Sequence, residues 1–301
     1  MIYAIMDIGS NTVRLSVYKE KGGEAVNLFS EKEQVSLKSY VKDGRLSDKG
    51  IKRLFSTLAK FKAVVDNFDD IDRVYPFATA TVRDVANRSE ILDLMKDQLD
   101  LDIEILSGEE EAKLAFVGAA VSTEVKEGVL CDIGGGSTEV VLIGQGKVIK
   151  SSSLSIGSLS AFNDYVNELF VDKASRKKIE KRVIQLFDDA SMYKEDLKVL
   201  SAVGGSARAA LMVYRDFYGL DESARTMKAV DFDLMLKEII KKSDKKKMHM
   251  ILDIKPDRIH TLLPGMVIMN KICEFFSVET INVSQTGVRE GYVYSKLLGK
   301  E

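Results

Sequence analysis

Histidine, cysteine and proline are scarce in this chain, and tryptophan is missing. The two histidines, His249 and His260, argue against a histidine-rich metal site, and both read as packed or surface residues. The two cysteines, Cys131 and Cys273, form no CxxC pair, so neither a disulfide framework nor a zinc cluster has its spacing. Three prolines and no low-complexity stretch leave no mark of a long disordered linker. No apolar run reaches the length that spans a bilayer. The opening MIYAIMDIGS lacks the basic and long apolar regions of a signal peptide. Strong charge of either sign is also lacking. The 44 basic and 46 acidic residues leave a net charge of -2, which gives no global argument for nucleic-acid or membrane binding. The expectation is a cytoplasmic protein of a reducing compartment, with neither of those partners.

What the chain does have is apolar material. Its 301 residues are 45% hydrophobic, enough for a real core and for two domains of ordinary size. Strand patterns at 2–6 and 13–18 flank DIGSN, and 25–37 reads as further strand. Residues 47–66 carry a helical stripe behind a capping Ser47. DRVYPFATA is a strand that runs into a helix, 90–99 is a second amphipathic helix, and SGEEEAKLAFVGAAV opens on a capping box from Ser107 to Glu110. The pattern then restarts with strands at 129–133 and 139–143. Helical sequence follows at about 159–193, 230–252 and 262–276. KVLSAVGGSARAALMVY reads as strand, glycine turn and helix, and the chain closes as strand, turn and helix. MDIGSNTVRLSVY (6–18) and CDIGGGSTEVVLIG (131–144) share one plan, so two similar α/β domains are expected, with both glycine turns in the cleft between them.

Three glycine turns each follow a strand: Gly9, Ser10 and Asn11; Gly134, Gly135, Gly136 and Ser137; Gly204, Gly205 and Ser206. Glycine permits positive φ and close backbone approach, and converging amides can hold an anion. No GxxxxGKS/T or GxGxxG spacing occurs, so neither a P-loop nor a dinucleotide fingerprint is present. Asp7 and Asp132 stand at strand ends beside two of the turns. Glu139 lies across its turn from Asp132 on the returning strand, a pair of hard oxygen ligands suited to Mg²⁺ near phosphate.

Glu111 is the sharpest single residue. At 100° per residue it projects about 160° from Lys113, which marks the polar face of its helix. A carboxylate on the buried side carries a desolvation cost unless it is used, and in a site beside phosphate it could act as a general base for water. Arg83 and Asn87 lie four apart in the helical pattern after FATAT, and Arg83 presents a fork suited to phosphate. Arg14 has the same status, and Arg289 and Glu290 could cap or pair locally. Two basic runs, RKKIEKR (176–182) and KKSDKKK (241–247), read as solvated faces, with a polyanion track as the functional alternative. The Met-rich PGMVIMNKI reads as core.

The motifs DIGSNTVRL, FATATVRDVANR, LSGEEEAKLAFVGA, CDIGGGSTEVV, AVGGSARA and GVREGYV resemble, in order and over nearly the whole chain, those of the exopolyphosphatase and guanosine-pentaphosphate phosphohydrolase (Ppx/GppA) family. The resemblance implies an α/β fold of the actin/Hsp70/sugar-kinase type, two RNase H-like domains with an interdomain cleft. It implies domain I at 1–124, completed by a C-terminal helix at about 288–301, and domain II at 125–287. It implies a hydrolase acting on terminal phosphoanhydrides, with Mg²⁺ or another divalent cation as cofactor. By position, Glu111 matches the catalytic base, and Asp132 and Glu139 match the metal-associated carboxylates, with Asp7 a further candidate. Gly9, Ser10, Asn11, Arg83, Gly134, Gly135, Gly136, Ser137, Gly204, Gly205 and Ser206 fall on phosphate-contacting motifs. The chain resembles the short, two-domain form, and Gln285 and Thr286 replace an Asp-Arg pair of many relatives. Polyphosphate and guanosine pentaphosphate remain alternative substrates, and a homodimer is a family-level expectation. Two other readings are a non-catalytic sensor of guanosine polyphosphates or polyphosphate and an ATP-dependent kinase of the same superfold.

Overall fold

A computed structural model describes residues 1–123 and 125–299. Contacts divide the chain into two units, Met1–Glu111 with Tyr292–Glu301, and Ala112–Gly291. The division falls inside one helix and again near the C-terminus. The boundary residue 124 of the sequence reading, and residues 300–301 of its final helix, lie outside the described residues.

In the first unit, β1 (Ile2–Ile8), β2 (Thr12–Lys21) and β3 (Glu24–Gln34) form an antiparallel meander. A small hairpin, β4 (Val41–Lys42) and β5 (Arg45–Leu46), leads to α1 (Asp48–Asp66). Then come β6 (Arg73–Ala78), α2 (Ala80–Asp84), α3 (Arg88–Leu99) and β7 (Glu104–Ile105). The sheet order is β3-β2-β1-β6-β7, with β6 parallel to both β1 and β7. This mixed order, a meander followed by parallel crossovers, is the RNase H-like plan. Helix α1 starts where the Ser47 hydroxyl accepts from Gly50 N. It buries Leu54, Leu58, Phe61 and Val65 along one stripe, each contributing about 1.5–3 kcal/mol.

The second unit repeats the plan. Helix α4 (Gly108–Ser122) leads to β8 (Gly128–Ile133), β9 (Thr138–Gly144) and β10 (Lys147–Leu154), again an antiparallel meander. Next come α5 (Ser158–Tyr165), α6 (Lys173–Asp189), β11 (Val199–Val203), α7 (Gly204–Tyr218) and β12 (Thr226–Lys228). The chain continues through α8 (Ala229–Lys241), α9 (Asp244–Ile254), α10 (Leu262–Phe275), β13 (Thr280–Val283) and α11 (Val288–Tyr292). The sheet order is β10-β9-β8-β11-β13-β12, with β8, β11 and β13 parallel. Two RNase H-like units in one chain make this the actin/Hsp70/sugar-kinase fold class.

Strand β8 is buried on both faces. Val129, Cys131 and Ile133 join the main core, which includes Met266 and Met269 of the Met-rich stretch. Leu130 joins a smaller cluster with Ala112, Ala115 and Ala119 of α4. Small residues let α4 come close to the 287–291 segment. A Cβ at Gly118 would stand 1.9 Å from Gly287 O, and one at Gly291 would stand 1.9 Å from Leu114 O.

Several sequence expectations need correction. The helical stretch 230–252 is two helices, broken at Lys242 and Ser243, where extended backbone at Lys242 ends α8. The 159–193 stretch is likewise two helices, because Asp172 caps a new start. Asn87 does not share a helical face with Arg83, since α2 stops at Asp84. Asn87 is instead buried and clasps both backbone polar groups of Leu46 at 2.9 Å. Lys247, placed on a solvated face by sequence, is 4% exposed and donates to Val171 O at 3.2 Å.

Candidate functional site

In the first unit the candidate residues gather at the C-terminal ends of β1 and β6. Asp7, the penultimate residue of β1, sits level with Arg14 on β2 and Phe77 on β6. The turn after it is closed by Gly9 N donating to Thr12 O at 3.1 Å. Its carbonyls are spent locally: Asn11 O accepts from Val35 N and Ser36 N, and Ser10 O accepts from Lys38 N. The Ser36 hydroxyl also donates to Asn11 Oδ1 at 3.1 Å. Ser10 and Asn11 are buried by this arrangement.

Helix α4 begins with the capping box read from sequence. Ser107 N donates to Glu110 Oε2 at 2.9 Å, and Glu110 N to the Ser107 hydroxyl at 3.1 Å. Glu110 is thereby used as a cap, and Glu111 turns to the opposite side, where it is 8% exposed. Arg83 meets it there. Nη1 donates to Glu111 Oε2 at 3.3 Å and to Leu106 O at 3.1 Å, and Nε donates to Asp84 at 3.1 Å. Burial opposes the Arg83 charge, but Asp84 and Glu111 outweigh it and hold the guanidinium above its ordinary pKa. The pair joins α2 to α4 across 28 residues of sequence. Nearby in sequence, the Thr81 hydroxyl is buried without a hydrogen-bond partner among the described residues.

In the second unit, β8 and β9 place Asp132 directly opposite Glu139. Directly opposed residues share a sheet face, so both carboxylates lie on the Leu130 and Val141 side. Glu139 is 1% exposed and accepts from the Ser153 hydroxyl at 2.8 Å. Asp132 is also level with Val203, the last residue of β11. The chain turns there into α7 through Gly204, whose φ is +85°. A Cβ at Gly204 would stand 2.2 Å from Asp132 Oδ1, so this glycine serves both left-handed backbone and close approach.

The 134–137 turn works differently from the sequence expectation. None of Gly134, Gly135 and Gly136 has a positive φ, and neither does Gly9. The close approach comes from α5 instead. A Cβ at Gly157 would stand 2.6 Å from the Gly135 carbonyl carbon. Ser158 N donates to Gly134 O at 2.8 Å, and Leu159 N and Ser160 N donate to Gly135 O at 2.9 Å. The turn's carbonyls thus satisfy the first amides of α5. The Gly135 and Gly136 amides take no part in those bonds.

Arg258 was not singled out from sequence. It sits in a short 3-10 turn, Pro256–Arg258, and donates from Nη1 to the Ser206 hydroxyl at 3.2 Å. Ser206 in turn donates to Ile133 O at 2.7 Å. A Cβ at Gly205 would stand 2.2 Å from Arg258 Nη2. Burial pushes the guanidinium below its ordinary pKa, against the opposing pull of Asp257 and Asp132. No local motif marks Arg258, since its side-chain hydrogen-bond partner, Ser206, lies 52 residues upstream. The Thr261 hydroxyl, three residues on, is buried without a partner among the described residues. Arg208 donates to the Ser284 and Gln285 carbonyls, which fixes the loop carrying Gln285 and Thr286.

Asp132 and Glu139 are two hard carboxylates, the number that Mg²⁺ takes beside substrate phosphates and waters. The donor set therefore fits a divalent cation. Among the described residues, no group of three or more His, Cys, Asp or Glu side chains could hold a metal ion. No helix among them is long and apolar enough to cross a membrane.

Comparison with known proteins follows the same lines. A family model described as the Ppx/GppA phosphatase family matches residues 16–300. A bifunctional 3-dehydroquinate synthase/phosphatase of Fusobacterium nucleatum is 28% identical over 94% of the chain, which spans only 44% of that protein. The crystal structure of an exopolyphosphatase from Cytophaga hutchinsonii superposes with a TM-score of 0.87 at 20% identity, covering 100% of this chain and 99% of that one. That of a Ppx/GppA family member from Aquifex aeolicus gives 0.80 at 25% identity, covering 99% and 98%.

Proposed function

The chain belongs to the Ppx/GppA phosphatase family and is a phosphohydrolase, and we propose that it removes the terminal phosphate from polyphosphate or guanosine pentaphosphate by water attack with Glu111 as base. The observation that carries this reading is the Glu111 carboxylate, buried on α4 and tied to Arg83 at 3.3 Å. Pairing with a guanidinium favours the ionised carboxylate, the form that accepts a proton from water. Arg83 Nη2 makes no hydrogen bond within the described residues, so the same fork can hold Glu111 and offer donors to a phosphate oxygen.

In this reading the second unit binds the phosphates. The Gly135, Gly136 and Ser137 amides, the start of α7 and the Arg258 guanidinium offer donors, and preorganised donors are worth most where charge develops in the transition state. Asp132 and Glu139 would hold a Mg²⁺ ion. When bound, the ion would neutralise phosphate oxygens as a Lewis acid. Glu111 takes a proton from the attacking water as its oxygen bonds to the terminal phosphorus, the bridging P–O bond breaks, the shortened chain departs with the bridging oxygen, and inorganic phosphate is the other product.

The test is Glu111→Gln, which keeps the shape of the side chain and removes its basicity. Phosphate release from polyphosphates of several lengths, guanosine pentaphosphate and ATP is measured with and without Mg²⁺. Loss of at least about 100-fold in kcat, the lower range for a general base, is expected. Wild-type turnover by the folded variant would remove Glu111 from this role.

A further inference from the structure

The second unit also carries a cavity of about 930 Å³ between α6, α8 and α10, lined by none of the candidate phosphate-site or metal-site residues. That is within the range of small-molecule sites. Ala174, Val230 and Val278 give it apolar surface. Cys273 also lines it, but burial pushes its thiol far above the ordinary value, so it is wall rather than nucleophile.

The acidic residues that line this cavity, together with Arg176 and Lys237, are all ion-paired. Arg176 donates to Glu180 at 2.6 Å and to Asp233 at 3.1 Å, and Asn270 donates to Asp233 at 3.1 Å. Lys237 pairs with Asp233, and Glu274 with Lys271. Lys173 and Lys177 are the exception. Both line the cavity and are exposed, and neither has an ion pair among the described residues. They stand four apart on α6, so two like charges face each other across one helical turn. The first turn of α6 contains no acidic residue, and the Asp172 carboxylate is already occupied by Ser175. Two exposed lysines without ion pairs, at the rim of a cavity with apolar wall, present positive charge that an anionic group would complement.

We propose that this cavity binds a small organic anion, its phosphate or carboxylate held by Lys173 and Lys177 and its apolar body laid against Ala174, Val230 and Val278. The site is separate from the phosphohydrolase residues and does not depend on their assignment.

The probe is 8-anilinonaphthalene-1-sulfonate, an anion with an apolar body, titrated into the whole protein and followed by fluorescence. One saturable site per chain is expected. The Lys173→Glu/Lys177→Glu double variant should weaken it about tenfold or more, since two attractions become repulsions. A carboxylate at 173 is favoured by the helix dipole, so the variant should keep its melting temperature. Val230→Asp, at a position 65% exposed, changes the apolar wall instead and should also weaken the dye. Competition with guanosine monophosphate and with octanoate separates a nucleotide source from a fatty-acid source, and displacement by either supports the proposal. Unchanged dye affinity in either variant would overturn it. So would displacement by inorganic phosphate alone, displacement by neither organic competitor, or no saturable binding.

Discussion

Replacing Gly204 by alanine tests the link between backbone geometry and the Asp132 carboxylate. At φ +85° the backbone lies in the left-handed region, which costs an L residue about 1–2 kcal/mol. The new methyl would also stand 2.2 Å from Asp132 Oδ1. The carboxylate would have to retreat about 1.2 Å to reach ordinary contact. The Asp132 backbone cannot move aside, because the strand ladders pair it level with Val203 on one side and Glu139 on the other. Strain and clash together should cost about 2–4 kcal/mol, or about 10 °C in melting temperature for a unit of this size. A shift of about 1 Å in a group that positions substrate should lower kcat/KM about 100-fold. Calorimetric melting and phosphate release check both numbers. Gly205→Ala is the internal control. Its methyl meets the guanidinium end of Arg258, a side chain rather than backbone, and its φ is not left-handed. It should cost clearly less than Gly204→Ala, because a side-chain shift of Arg258 relieves the contact and no left-handed strain is added. Wild-type melting and wild-type rates for Gly204→Ala, or equal destabilisation by both variants, would refute the reasoning.

Gly118→Ala should destabilise by about 3 kcal/mol or more in urea unfolding, because its methyl would meet the Gly287 carbonyl, backbone that cannot swing away. Tyr292 gives a pH prediction. Its hydroxyl donates to Glu104 at 2.6 Å, and burial first, then Glu104, raises its pKa. The unfolded state therefore loses this proton first, and stability should fall as pH rises above about 10, by up to about 1.4 kcal/mol per pH unit. Denaturant melts from pH 9 to 11 should show a shallower decline for Tyr292→Phe, and identical slopes would contradict the assignment. Chelation of divalent cations should stop phosphate release and Mg²⁺ should restore it, with a higher Mg²⁺ requirement in Glu139→Gln. Turnover indifferent to chelation would count against the Asp132 and Glu139 roles.

Local features were legible because their physics is local. The capping box of Ser107 and Glu110 and the turning of Glu111 to the other side follow from the helical period alone. The facing of Asp132 and Glu139 follows from a short hairpin. The repeated strand-turn-strand plan of residues 6–18 and 131–144 became the meander that opens each sheet. Other expectations failed where neighbours distant in sequence decide. The 134–136 glycines suggested positive φ, yet none adopts it, and the close approach there requires the glycine at position 157, before α5. Asn87 looked like a neighbour of Arg83 on one helical face, yet Leu46 claims it. Lys247 looked solvated in a basic run, yet the Val171 carbonyl holds it in the core.

By itself, then, the sequence determined the class of each element, the doubling of the α/β unit and the residue types that could do phosphate chemistry. All of these depend on periodicity and spacing within a few turns of chain. Only the tertiary structure decided which of those residues have their charges met and by whom. It gave Glu111 to Arg83, brought Arg258 to Ser206 across 52 residues, set Gly204 against Asp132, and left Lys173 and Lys177 unpaired beside a cavity. The physical reason is range. Backbone propensity acts over a few residues, whereas ion pairing, desolvation and steric contact act between whatever side chains the packed fold makes neighbours.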